Sequence, residues 1–212
     1  MKYLMKILII VFCITTFPLT ASSYEHRSSA PLEKGVLLVA APELRDPHFY
    51  QTVILIITYG KDGAFGLLIN KPTEINMRKA LPDITITKKG LPPLYIGGPV
   101  DRSKLFILFT SDTRVPGSQN ITGSIYFSYD KETAKKLLQD SNSANKVRAY
   151  AGYTGWAPGQ LESEIRRGAW ITVKADINKV FSDSPLSVWP SLFRTPEDLL
   201  IQKYRDIPQP KG

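Results

Sequence analysis

Cysteine and histidine are scarce in this 212-residue sequence, and their scarcity limits the chemistry that it can perform. The single cysteine, Cys13, lies in a leader segment described below, so a processed chain forms no disulfide and has no thiol nucleophile or cysteine-ligated metal site. The histidines are His26 and His48, which leaves His48 alone for a catalytic triad and provides no His-x-x-x-His pair. We therefore expect neither a bound metal nor histidine-based catalysis.

The motifs of several enzyme classes are missing as well. There is no Gly-x-Ser-x-Gly nucleophile elbow, no glycine-rich phosphate loop and no calcium loop with alternating acids. Glu162 and Glu164 form a pair of carboxylates, but residues two apart on a helix point about 200° apart. The sequence thus predicts a non-catalytic protein with no cofactor, and an enzyme of unknown reaction is the alternative.

Positive charge is in excess but thinly spread. The chain has 27 Lys and Arg against 19 Asp and Glu, a formal net charge of +8, and losing a leader that carries two lysines and no acid would leave +6. Basic residues occur in isolated pairs such as Lys88-Lys89 and Arg166-Arg167, without a basic stripe or a helix-turn-helix pattern. We expect no specific binding to DNA.

Residues 1–23 are typical of a secretory signal. Lys2 and Lys6 precede the apolar run Ile7–Phe17, and small residues follow from Ala21 to Ser23. The run is too short for a membrane span, which needs about 20 apolar residues. We therefore predict cleavage after Ala21 or Ser23, export to the periplasm and no transmembrane span in the mature chain. A retained amphipathic anchor and a cytosolic protein are the alternatives.

The remainder reads as one domain. Residues 24–34 are polar and predict a flexible leader, the domain spans 35–195, and 196–212 form a C-terminal tail. Successive apolar residues in the first two strands predict that both faces of the sheet are covered. Strands mixed with short helices, without regular βαβ alternation, indicate the α+β class. The expected strands are Val36–Ala40, Thr52–Tyr59, Ala64–Asn70, Leu94–Gly97, Leu105–Thr110, Ile121–Ser128, Val147–Gly152 and Ala169–Lys174, and the expected helices are Lys131–Gln139 and Gln160–Arg167.

Glycine and capping residues predict where some of these elements begin and end. The segment 60–63 (GKDG) separates the second and third strands and predicts a hairpin with a glycine-assisted turn. Asp130 is the expected N-cap of the first helix, and Gly168 is expected to end the second in a left-handed conformation.

Three segments are more specific than composition. The first contains residues 42–49 (PELRDPHF) and 66–72 (GLLINKP), the second is 97–100 (GGPV), and the third runs from 152 to 164 (GYTGWAPGQLESE) and closes with 168–170 (GAW). In this order and at these spacings they closely resemble the YqgE/AlgH family of bacterial proteins. The resemblance covers about residues 35–194.

The resemblance implies a single domain with a strongly bent, mainly antiparallel sheet, partly closed like a barrel and flanked by short helices. It implies little about chemistry, because family members are described as transcriptional regulators without a known site. The preferred role is a non-catalytic binding or regulatory protein whose partner is an unknown protein or small ligand. A transcriptional regulator acting in the cytosol is the alternative.

The candidate ligand- or partner-binding residues come from the first and third segments. They are Tyr153, Trp156, Gln160, Glu164, Asn70 and Lys71. One interpretation is a surface groove that receives a ligand, since aromatic and polar residues on loops of a rigid scaffold are common recognition sites. The other is structural: Trp156 packs over the start of a helix, and Asn70-Lys71-Pro72 ends a strand. Gly97-Gly98-Pro99 similarly allows either a close approach of two backbones or an anion site.

Overall fold

The computed structural model describes residues 30–140 and 145–192, and within them a nine-stranded sheet carries a few short helices. The strands are Val36–Ala40 (β1), Val53–Gly60 (β2), Gly63–Leu68 (β3), Tyr95–Ile96 (β4), Val100–Thr110 (β5), Gln119–Thr122 (β6), Ile125–Ser128 (β7), Val147–Trp156 (β8) and Trp170–Lys174 (β9). The helices are Met77–Ala80 (α1), Lys131–Gln139 (α2), Gln160–Arg166 (α3), Ile177–Val180 (α4) and Val188–Ser191 (α5), with a 3₁₀ turn at Pro185–Ser187.

The strands follow the order β6-β7-β5-β8-β3-β2-β1-β9, and β4 also pairs with β8. Every pairing is antiparallel except that of β4 with β8. The predicted hairpin is present, because β2 and β3 pair down to Gly60 opposite Gly63 and Lys61-Asp62 form the turn. The expected α+β fold, a curled antiparallel half-barrel in one domain, is confirmed.

The sheet is covered on both faces, as the continuous apolar strands predict. All five residues of β1 and the first five of β2 are buried. Alternate residues of these strands belong to different clusters: Leu37 and Val39 face the concave interior, whereas Val36 and Leu38 face an outer cluster that packs against α3. A second outer cluster lies under α1 and α2. Each outer cluster therefore fixes helices to the back of the curled sheet.

One strand expectation was wrong. Residues 121–128 form two strands, β6 and β7, because Gly123 with a φ of 53° and Ser124 make a tight turn between Thr122 and Ile125. The pattern of apolar residues continues through this turn, which hides the reversal of the chain. Gly123 is the residue that permits it, since the left-handed region favours glycine.

The segment Gly97-Gly98 carries the chain across β8. Both β4 and β5 pair with Tyr150, so they lie on opposite edges of β8 and the chain between them must cross that strand. A Cβ atom on Gly97 would lie 2.2 Å from the carbonyl oxygen of Gly152, and one on Gly98 would lie 2.1 Å from that of Tyr153. The close approach of two backbones explains this motif.

The two predicted helices end as their sequences indicate. Asp130 caps α2 by accepting a hydrogen bond from the Thr133 amide at 2.7 Å. At the end of α3, Gly168 has a φ of 76° and its amide donates to the Ile165 carbonyl at 2.9 Å. The Ala169 amide donates to the Glu164 carbonyl at 3.0 Å, which completes a Schellman motif.

The domain begins earlier than expected. Ala30 donates from its amide to the Thr172 carbonyl at 3.1 Å and accepts from the Thr172 hydroxyl at 2.6 Å, and Leu32 packs on an outer cluster. The end of the supposed flexible leader is therefore attached to β9. The predicted signal 1–23, the first part of the leader and the tail 196–212 lie outside the described residues. Among the described helices, none has the length and apolar character to cross a membrane.

Candidate functional site

Asn70 and Lys71 hold the end of β3 to the turn before β2. The buried Asn70 side chain accepts from the Val53 amide at 2.8 Å and donates to the Gln51 carbonyl at 2.9 Å. The Lys71 ammonium donates to the Tyr50 carbonyl at 3.1 Å, and burial lowers the pKa of this lysine. Both the oxygen and the nitrogen of the Asn70 side chain thus join two parts of the fold.

Trp156, Gln160 and Glu164 do come together, in a hydrogen-bonded cluster that also includes Trp170. The indole N–H groups of Trp156 and Trp170 both donate to Oε2 of Glu164, at 2.9 and 2.8 Å. Oε1 of the same carboxylate accepts from the Gln160 amide at 2.9 Å. Gln160 in turn accepts from the Ala157 backbone amide at 3.0 Å. The cluster joins the end of β8, helix α3 and the start of β9.

Glu164 is buried, with 5% of its surface exposed. The expectation that this carboxylate receives a ligand in a surface groove is therefore wrong: its two oxygens already accept three hydrogen bonds from side chains. Charge-assisted bonds of this kind are stronger than bonds between neutral groups, and they offset part of the cost of burying the charge. The physical role of Glu164 is to anchor α3 to the sheet.

Glu162 lies in a different environment from Glu164. Its Oε1 accepts a hydrogen bond from the Tyr59 hydroxyl at 2.8 Å, which raises the pKa of Tyr59. The hydrogen bond is the largest cause of this shift, because ionising the phenol would remove the donated proton and place two negative charges together. The two carboxylates thus have separate partners.

A cleft of about 280 Å³ lies on the concave side of the sheet, beside the β2–β3 hairpin. The register places alternate residues of three strands on one face: Thr58 is opposite Phe65, Gly60 is opposite Gly63, and Phe65 is opposite Gly155. The side chains of Tyr153 and Val100 share that face. The residues that line the cleft are Thr58, Tyr59, Gly60, Asp62, Gly63, Ala64, Phe65, Val100, Tyr153, Gly155 and Trp156.

The cleft and the Glu164 cluster lie on opposite faces of the same sheet. Tyr59 pairs with Ala64, and Ala64 pairs with Trp156. Each of the three is next in sequence to a residue of the concave face, so its side chain points to the other face of the sheet. Their side chains pack in the outer cluster next to α3. Of the six candidate residues, Tyr153 is therefore the one whose side chain lies on the face of the cleft.

Glycine replaces side chains on the floor of the cleft at Gly60, Gly63 and Gly155. Gly63 is required by the turn, since its φ is 108° and a Cβ there would lie 2.1 Å from the Trp156 carbonyl oxygen. Gly60 has no positive φ, and a Cβ on it would meet nothing within 4 Å. A Cβ on Gly155 would lie 3.3 Å from the Tyr153 ring, a tight contact, and 3.9 Å from the Ala64 carbonyl oxygen. Neither conformation nor packing requires glycine at position 60.

Aromatic rings form the deep wall of the cleft. The half-buried rings of Phe65 and Tyr153 lie 4.9 Å apart between centroids, and Phe106 and Phe127 support Phe65 at 5.4 and 5.7 Å. Such contacts hold rings in fixed positions. Asp62, in the exposed turn, is the lining residue that is charged at neutral pH. The result is a flat floor, a rigid apolar wall and one carboxylate at the rim.

Sequence reasoning found Tyr153 but missed most of the cleft. Gly60, Gly63 and Phe65 were assigned only to the hairpin. No local pattern marks the cleft, because Gly63 and Gly66 in β3, like Gly152 and Gly155 in β8, are three residues apart and so lie on opposite faces of their strands. Within the described ranges, no group of three or more His, Cys, Asp or Glu side chains is arranged to hold a metal ion.

Comparison with known proteins gives a consistent result. A family model described as AlgH-like matches residues 37–197. The UPF0301 protein CT0663 of Chlorobaculum tepidum is 33% identical over 159 residues, which are 74% of this chain and 83% of that protein. The UPF0301 protein SPO0296 of Ruegeria pomeroyi is 32% identical over 160 residues, or 73% of this chain and 86% of that protein.

Solved structures agree with these relatives. The solution structure of the AlgH protein from Pseudomonas aeruginosa matches with a TM-score of 0.65 at 26% identity, over 88% of this chain and 100% of that one. The crystal structure of protein DIP2367 from Corynebacterium diphtheriae matches with a TM-score of 0.67 at 25% identity, over 82% and 93%. The resemblance inferred from the three sequence segments is confirmed, and the chain belongs to the YqgE/AlgH family.

Proposed function

We propose that this protein is a non-catalytic binding protein and that its ligand occupies the cleft on the concave face of the β2–β3 hairpin. The observation that carries the proposal is the glycine at position 60. Glycine weakens a strand through its conformational entropy and lack of packing, and nothing in this fold requires it there. A residue that costs stability without a structural need is expected where a bound molecule must approach the backbone closely.

The surroundings of Gly60 support a binding role. The floor is exposed at Thr58, Gly60 and Gly155, while the aromatic wall behind it is rigid. Ligand sites combine an apolar concave surface with a few polar groups that orient the ligand. Here the polar groups are the Thr58 hydroxyl, the Asp62 carboxylate and the backbone of the strands. No part of this arrangement needs a reacting side chain.

Filling the floor tests the proposal. In a Gly60→Val variant the added methyl groups would stand over the cleft floor and exclude a ligand. The folded state should keep or gain stability, because valine is favoured in strands and its Cβ has free space. The measurement is a fragment-library screen by ¹H–¹⁵N NMR, reading the amide signals of Gly63 and Gly155. Fragments that shift these signals in the wild type should no longer do so in the variant.

The matched control is Lys61→Ala, which alters the same hairpin at a residue that does not line the cleft. It should keep every fragment that the wild type binds, with the same affinity. If fragments bind Gly60→Val as well as they bind the wild type, or if no fragment shifts the glycine signals, the cleft is not a binding site.

Export is a separate part of the proposal. Its support is the sequence of residues 1–23, with two lysines, an apolar run and small residues at its end. We expect the protein in a periplasmic extract to begin between residues 22 and 24. N-terminal sequencing of the full-length gene product, purified from separated periplasmic and cytosolic fractions, makes the measurement. Soluble cytosolic protein that retains Met1 would contradict export and leave the cleft unaffected.

A further inference from the structure

We propose that the cleft binds a guanidinium group, the head of an arginine side chain. The inference rests on the proposed function, since it names the ligand class of the same site. Three properties of the cleft carry it: the flat floor, the aromatic wall and the sign of its charge. Each excludes a different set of ligands.

The floor favours a flat group. Gly60, Gly63 and Gly155 lie on neighbouring strands, and the register brings Gly60 opposite Gly63. A Cβ on Gly60 would meet nothing within 4 Å, so the peptide planes at the end of β2 are open to contact from the concave side. A planar group can lie against such a surface over its whole area, whereas a tetrahedral ammonium group touches it at a few atoms. Guanidinium is planar and more weakly hydrated than ammonium.

The wall favours a delocalised cation. Tyr153 and Phe65 are half-buried, so part of each ring remains accessible, and the Phe106 ring packs against both of them. Arginine stacks on aromatic faces and is attracted by the negative charge above and below the ring. An anion would be repelled by the same negative charge on the ring faces.

The rim supplies a counter-charge. Asp62 is the acidic residue that lines the cleft, and no lysine, arginine or histidine is among the described lining residues. This composition contrasts with the chain as a whole, in which 27 basic residues outnumber 19 acidic ones. Lys61 is next to Asp62 in the turn but does not line the cleft. A carboxylate matches the two parallel N–H groups of guanidinium, and the pair can be bidentate.

Three blocked amino acids separate shape from charge. The side chain of Nα-acetyl-arginine methylamide ends in a planar, charged guanidinium. The citrulline derivative ends in a planar, neutral urea group, and the lysine derivative ends in a charged ammonium that is not planar. Each is titrated into the protein and followed by the ¹H–¹⁵N signals of Gly60, Gly63 and Gly155. We expect arginine to bind about fivefold more tightly than citrulline, as an exposed charge pair allows. Lysine should also bind more weakly than arginine.

Two variants locate the charge effect. Asp62→Asn should remove the advantage of arginine over citrulline and leave citrulline binding unchanged, because the amide keeps the size of the carboxylate. Asp112→Asn, at an exposed residue outside the cleft, should preserve the advantage. Both positions are exposed, so both variants are expected to fold.

Arginine can come from a protein or from a small metabolite, and a further comparison distinguishes them. Tighter binding of a seven-residue peptide with central arginine than of free L-arginine indicates a protein partner, and the reverse indicates a metabolite. The proposal is overturned if lysine binds as tightly as arginine, if citrulline matches arginine in the wild type, or if none of the three binds. When citrulline equals arginine and both bind, the cleft is still a binding site and only the guanidinium assignment fails.

Discussion

Replacing Glu164 by alanine is expected to lower the free energy of unfolding by about 3–5 kcal/mol. The change leaves the indole N–H groups of Trp156 and Trp170 without an acceptor in the interior, and each buried unsatisfied donor costs about 1–3 kcal/mol. The Gln160 amide also loses its partner. Urea unfolding followed by tryptophan fluorescence measures the loss, and both indoles report directly on this cluster.

Two substitutions serve as controls for this prediction. Glu164→Gln keeps one acceptor oxygen for the indoles but presents an NH₂ group to Gln160, so a smaller loss of about 1–2 kcal/mol is expected. Glu162→Ala removes a carboxylate two residues away that accepts a hydrogen bond from Tyr59, and should cost less than about 1 kcal/mol. If Glu164→Ala is no more damaging than Glu162→Ala, the carboxylate does not anchor α3.

Much of the fold could be predicted where the signal is local. The continuous apolar run in β1 predicted burial on both faces, because a strand exposed on one face alternates. Asp130 and Gly168 predicted the start of α2 and the end of α3, since capping depends on a few neighbouring residues. The turn at Gly123 was missed because the apolar pattern on either side of it is uninterrupted.

The site was harder to predict because it depends on contacts distant in sequence. The grouping of Trp156, Gln160 and Glu164 followed from their spacing at the start of a helix. Whether their polar atoms face a ligand or one another depends on Trp170, which β9 brings to the cluster. The cleft likewise requires the register of Phe65 opposite Gly155, and no local pattern determines that pairing.

The buried Arg148 shows the same limit. No sequence pattern singles out this residue of β8, yet it is buried and its guanidinium donates to the Val180 carbonyl at 2.8 Å and to the Ser182 carbonyl. It also lies over the Tyr95 ring, 4.8 Å from the centroid. The carbonyls at the end of α4 attract a cation. Arg148 therefore attaches the C-terminal helices to the sheet.

Replacing Gly98 by alanine is expected to destabilise the protein by about 3 kcal/mol or more. The new Cβ would lie 2.1 Å from the carbonyl carbon and oxygen of Tyr153 and 2.5 Å from the Thr154 nitrogen. Overpacking against movable side chains costs about 1–3 kcal/mol, and a strand backbone cannot move aside as a side chain can. Relief would require separating the crossing chain from β8, with loss of the pairing between Val100 and Tyr153.

The control for Gly98→Ala is the same substitution at Gly155, two residues beyond Tyr153 in β8. Its Cβ would lie 3.3 Å from the edge of the Tyr153 ring and 3.9 Å from the Ala64 carbonyl oxygen, so the free energy of unfolding should change by less than about 1 kcal/mol. Thermal unfolding of the two variants measures the difference. Equal melting temperatures would mean that the crossing is not tightly packed. A large loss in Gly155→Ala would mean that this glycine serves the fold, which would remove it from the argument for a ligand site.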